Sequence, residues 1–99
     1  MLFRSFVITH VDSDRQFVGQ VTPLLDTFVN DSLNDSGVQM FALLSQTPTA
    51  NHFQLVETYE DLQAFDAHVS TQHTVEFRNR TAAFLGAPYD ERLYHFVNR

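Results

Sequence analysis

With 99 residues the chain is one domain's worth of polypeptide, and without a single cysteine neither a disulfide nor a thiolate metal cluster can supplement its core. The net charge is −6, there is no lysine, and only Arg78 and Arg80 among the six arginines stand close together, which excludes the basic patch of a nucleic-acid binder. No apolar run is long enough to span a bilayer, and the N-terminus lacks the features of a signal peptide, so a soluble cytoplasmic protein with no membrane partner is expected.

Leu2 to Val11 alternates as a strand, with Leu2, Phe6 and Ile8 on one face and Phe3, Val7 and Val11 on the other. Ser13 and Gln16 then have the spacing of a capping box, and Phe17, Val21, Leu24, Leu25 and Phe28 form one helical apolar stripe. Pro23 removes a backbone donor and crowds the carbonyl of Gly19, so a kink is expected, with a break restarting at Thr22 as the alternative. Asn30 to Gly37, rich in Asn, Asp, Ser and Gly, reads as the exit loop.

Val38 to Gln46 and His52 to Tyr59 read as strands joined by the turn Thr47–Asn51, a spacing that suits an antiparallel hairpin. Glu60 to His68 reads as a short helix with acids at its positive end. Ser70 or Thr71 caps a further helix running to Leu85, which Gly86, as a left-handed cap, and Pro88 stop. Glu91 to Asn98 is the last strand. The whole chain, 1–99, is thus one α+β domain of ferredoxin-like type: a four-stranded antiparallel sheet with helices on one face.

The strands are apolar on both faces: Val38, Met40, Ala42 and Leu44 oppose Phe41 and Leu43, and Tyr94 and Phe96 oppose Leu93 and Val97. Helices can cover only one face. The other would be a large exposed apolar patch, and a second copy of the sheet would cover it as a homodimer.

One stretch carries a family resemblance. Phe53-Gln-Leu-Val-Glu57-Thr-Tyr59-Glu-Asp61, then Ala64 to His68, Ser70-Thr-Gln-His73 and Phe77, resembles the antibiotic biosynthesis monooxygenase family. That family's pattern is an aromatic, E-x-[WY]-x-D, a helix ending in His, a Ser/Thr-x-His step and an aromatic one turn on. The ending Gly86-Ala-Pro88 and Arg92-Leu-Tyr-His-Phe96 is similar too. The resemblance implies two sheets closing into a dimeric α/β barrel. It also implies a range of activities: quinol and anthrone monooxygenases using neither metal nor flavin, haem-degrading enzymes, and a processor of a furanone-type signal. Haem degradation fits poorly, because Arg78 stands where that branch has its iron-binding His and this chain has no Trp.

Cofactor-free oxygenation needs a base working near neutrality, an apolar pocket and a few orienting polar groups. His68 and His73 are the candidate bases, since histidine changes charge closest to pH 7. Glu57 shares a strand face with Phe53, Leu55 and Tyr59, so it is ion-paired, with Arg78 or Arg92 as candidate partners, points into a wet pocket, or has a raised pKa. Tyr59, Phe53, Phe77, Arg78 and Phe96 are candidates for binding a small aromatic or quinone-like substrate; for the aromatics a plain core role is the competing expectation. No metal-ligand spacing occurs, so neither metal nor other cofactor is expected. The expected activity is a cofactor-independent monooxygenase acting on a quinol-like or polyketide-like aromatic. An isomerase or processing enzyme for a small oxygenated signal metabolite, and a non-catalytic small-molecule-binding dimer, stand as alternatives.

Overall fold

A computed structural model describes residues 5–98. Leu2 and Phe3, expected to open the first strand, and Arg4 and Arg99 lie outside the described residues. The elements run β1 (Ser5–Asp12), α1 (Val18–Ser32), β2 (Val38–Ser45), β3 (His52–Tyr59), α2 (Leu62–Val69), α3 (Gln72–Thr81) and β4 (Asp90–Tyr94). The sheet order is β2-β3-β1-β4, with every neighbouring pair antiparallel. This is the expected ferredoxin-like arrangement.

The alternation of β3 becomes a clean alternation of burial: Phe53, Leu55, Glu57 and Tyr59 are buried and point to the helices. On β1, Val7, Thr9 and Val11 share that face. Against them pack Val21, Leu25 and Phe28 of α1 and Phe77 of α3. A second small cluster, Val7, Tyr59 and Phe65, sits where α2 meets the sheet. The register puts Phe6 and Ile8 with Val56, Met40, Ala42, Leu44 and Tyr94 on the opposite face, which carries no helix.

Several boundaries differ from expectation for identifiable reasons. The capping box at Ser13 does not form, because Ser13 is bridged to Leu85 and its hydroxyl donates to the Asp14 carbonyl. Asp14 caps instead, accepting from the Gln16 N–H at 3.2 Å and starting a 3-10 turn, Arg15–Phe17, ahead of α1. Helix α1 neither breaks nor restarts at Pro23. Both Pro23 and Gly19 are exposed, so the carbonyl that Pro23 leaves unpaired can be hydrated. The Thr22 hydroxyl donates back to the Val18 carbonyl, within the helix rather than at a cap.

The exit loop is shorter than its composition implies, since α1 continues to Ser32. Helix α2 starts at Leu62 rather than Glu60, and Asp61 caps it, accepting from the Ala64 N–H at 2.9 Å. Thr71 is the cap of α3, which ends at Thr81 in a 3-10 turn, Ala82–Phe84. Strand β4 stops at Tyr94 rather than Asn98. Gly86 is not a left-handed cap; the positive-φ glycine is Gly37, at φ 81°. That conformation lets the loop press on α2: a Cβ at Gly37 would stand 2.5 Å from the Ala64 Cβ.

Candidate active site

Two polar groups lie between the sheet and the helices. The first is on β3. Glu57 is 0% exposed and accepts a 2.5 Å hydrogen bond from the Tyr59 hydroxyl, two residues along the same strand face. Its other oxygen, Oε2, has no hydrogen-bond partner among the described residues. Burial pushes the Glu57 carboxyl up to about 7; the Tyr59 hydrogen bond lowers it, Glu91 raises it further and Arg78 lowers it. Burial, then the Glu57 charge, holds the Tyr59 phenol above its usual range, so it remains a donor.

The ion pair entertained for Glu57 does not form. Arg78 instead gives two contacts, at 2.9 and 3.1 Å, to Glu91, and its guanidinium lies 5.2 Å from the centre of the Tyr89 ring. Arg92 is taken by Asp90 on the exposed sheet face. Glu57 is therefore a buried acid held by a phenol, with charges nearby but none in contact.

The second group joins three elements. His68, in the last turn of α2, is 1% exposed and its Nδ1 lies 2.8 Å from Asp35 Oδ2. His73, in the first turn of α3, reaches the same oxygen with Nε2 at 2.9 Å. The turn at Ser70 and Thr71 brings the two histidines to one carboxylate, despite a spacing of five that suits no single helix face. His68 is surrounded by the rings of Phe28, Phe41 and Tyr59, at 5.6, 5.4 and 5.5 Å. That burial lowers its pKa, against the opposing pull of Asp35. Through Tyr59 the two groups touch: its hydroxyl serves Glu57 while its ring packs on His68.

The other expected residues separate. Phe77 stacks on Phe28, centroids 4.1 Å apart, and forms the wall beside His73. Arg78 lines a half-open cavity of about 470 Å³ with Thr81, Ala82, Leu85 and Tyr89. Phe53 lies in the core at the far end of β3, opposite Ser45 and Val11, four residues and about 13 Å along the strand from Glu57. Phe96 packs edge-on against Phe6, centroids 5.9 Å apart, away from His68. The sequence did not single out Asp35, Tyr89 or Glu91. An acid in an Asn/Asp/Ser/Gly loop looks like a turn former, and nothing local distinguishes one that reaches across 33 residues to a histidine.

Asp35, His68 and His73 also have the chemistry of a metal-ligand set, one ligand atom from each lying within 4.8 Å of the others. No helix among the described residues is long and apolar enough to cross a membrane.

A model of the antibiotic biosynthesis monooxygenase family matches residues 5–80. Comparison with curated proteins gives no match. Among solved structures, a Nitrosomonas europaea protein provisionally named as an antibiotic biosynthesis monooxygenase superposes with a TM-score of 0.90 at 18% identity, covering 98% of this chain and 93% of its own. Rv0793 of Mycobacterium tuberculosis gives 0.90 at 18% identity, covering 97% of each chain. PA3566 of Pseudomonas aeruginosa gives 0.89 at 18%, covering 98% and 97%. Identities this low speak for a shared fold.

Proposed function

The chain belongs to the antibiotic biosynthesis monooxygenase family, and we propose that it is a cofactor-independent monooxygenase for a small quinol-like or polyketide-like aromatic. The observation that carries this is Glu57, a buried carboxyl brought to about 7 and left with one free oxygen beside a phenol whose ring packs on the His68 imidazole. A base poised there matches the requirement for taking a proton from a phenol or an activated C–H near neutral pH. The resulting electron-rich anion passes one electron to triplet oxygen, and recombination gives a peroxide. Loss of water from the peroxide leaves a new carbonyl, so one oxygen atom stays in the product and the substrate supplies the electrons.

Within this proposal Glu57 removes the proton, and His68 and His73, aligned by Asp35, relay it. Tyr59 holds Glu57. Arg78, whose charge acts on Glu57, and Tyr89 line the cavity that receives the ring. Two copies close over the helix-free sheet face, where Met40, Leu44, Tyr94 and Phe96 are strongly exposed.

Oxygen uptake with a panel of hydroquinones and anthrones tests the proposal. Wild type consumes oxygen with at least one substrate; Glu57→Gln loses about 100-fold or more, the range for removing a general base, and His73→Ala loses less than Glu57→Gln but measurably. Unchanged uptake in both variants would sink the site assignment. Substrate turnover without oxygen uptake would favour proton transfer alone, an isomerisation by the same groups.

A further inference from the structure

We infer that Asp35, His68 and His73 together form a binding site for one divalent first-row transition-metal ion of the zinc or cobalt type. The site is built from three separate elements: the loop after α1, the end of α2 and the start of α3. Asp35 Oδ2 stands 2.8 Å from His68 Nδ1 and 2.9 Å from His73 Nε2. Ligand atoms bonded at about 2.0–2.1 Å to one ion stand roughly 3.0 Å apart in octahedral and 3.3 Å apart in tetrahedral geometry. Two of the three separations are therefore within a few tenths of an ångström of those in a ligand set, and all three ligand atoms lie within 4.8 Å of one another. Two imidazoles and a carboxylate are ligands that zinc and cobalt accept, leaving further positions for water or a small ligand.

Charge favours an ion here. Asp35 is only 13% exposed, and among the described residues its ionic partners are the two histidines alone. Of the α3 arginines, Arg78 is committed to Glu91, and Arg80, which shares a groove with His73 and Asp31, makes no ion pair with Asp35; the chain has no lysine to offer. A fixed negative charge in a protein of net charge −6 is thus left to two groups that carry positive charge only when protonated. His73, 24% exposed, gives the ion a route from solvent, while Phe28 and Phe41 present no competing ligands on the inner side.

Binding does not depend on the oxygenase proposal, though its consequence does: an ion occupying these nitrogen atoms takes the lone pairs a proton relay needs. The two uses of the site exclude one another.

Metal-free protein titrated with Co²⁺, followed by visible absorption, and with Zn²⁺, followed by calorimetry, decides the matter. One ion per chain is expected. Asp35→Asn and His73→Ala should each weaken binding by at least about 10-fold, the loss that even a supporting residue of a metal site produces. His73 lies at the helix surface, so its variant stays informative if Asp35→Asn proves unstable. His52→Ala, which breaks the separate His52–Asp12 pair at 2.6 Å, should leave binding unchanged. No binding by wild type, wild-type affinity in the Asp35 and His73 variants, or loss of the ion in His52→Ala would overturn the site. Oxygen uptake by Glu57→Gln involves none of the three ligands and is read separately, so failure here is separable from failure of the oxygenase proposal.

Discussion

Glu57 holds its proton in the folded chain at a pH where the unfolded chain has released it, since burial lifts its pKa from 4.5 to about 7. Stability from this group is complete below pH about 4.5 and is lost as pH rises through about 7, a swing of at most about 3 kcal/mol. Urea unfolding of wild type should therefore weaken across that window, while Glu57→Gln, which keeps an acceptor for Tyr59, should show a flatter profile. Identical profiles would mean that Glu57 is not buried as a neutral acid. This residue was legible before any coordinates, because strict alternation along His52–Tyr59 placed an acid among Phe53, Leu55 and Tyr59. The missing partner was not legible: which arginine meets which acid depends on how α3 crosses the sheet, and Arg78 lands on Glu91. Asp35 was hidden for the same reason, its two contacts spanning 33 and 38 residues.

Among the elements, the loop from α1 to β2 has the narrowest tolerance. Gly37 combines a φ of 81° with a 2.5 Å gap between a would-be Cβ and Ala64. Gly37→Ala should cost about 1–2 kcal/mol for the left-handed backbone alone, and more for the clash. Gly19, which has nothing within 4 Å and lies in α1, should instead gain up to about 1 kcal/mol on Gly19→Ala. Chemical denaturation of both variants checks the pair; equal effects would show that the close approach is not a constraint. Sequence periodicity located every strand and helix, and β3 to the residue. It erred at the ends, where tertiary contacts decide: Ser13 is drawn into a bridge with Leu85, and Gly86 donates to the Asp12 carbonyl rather than closing a helix. The glycine that needs a positive φ was the one in the loop, not the one after the helix.

For the whole molecule, the helix-free face follows from the alternation, and the structure leaves Met40, Leu44, Tyr94 and Phe96 between 39% and 52% exposed. Sedimentation at micromolar concentration should give twice the chain mass. Val56→Arg, at the centre of that face on β3, should give one chain with an unchanged circular dichroism spectrum. A wild-type mass of one chain would refute the dimer. Gly37 has a further consequence for how the molecule comes apart. It seats α2, an eight-residue helix whose Leu62 is 53% exposed, and that helix carries His68, while the sheet is held by long ladders of its own. A fluctuation that lifts α2 would dissolve the histidine–aspartate cluster and leave the sheet paired, so amide exchange there should report a local opening well below the free energy of global unfolding. The cluster would then be lost before the fold.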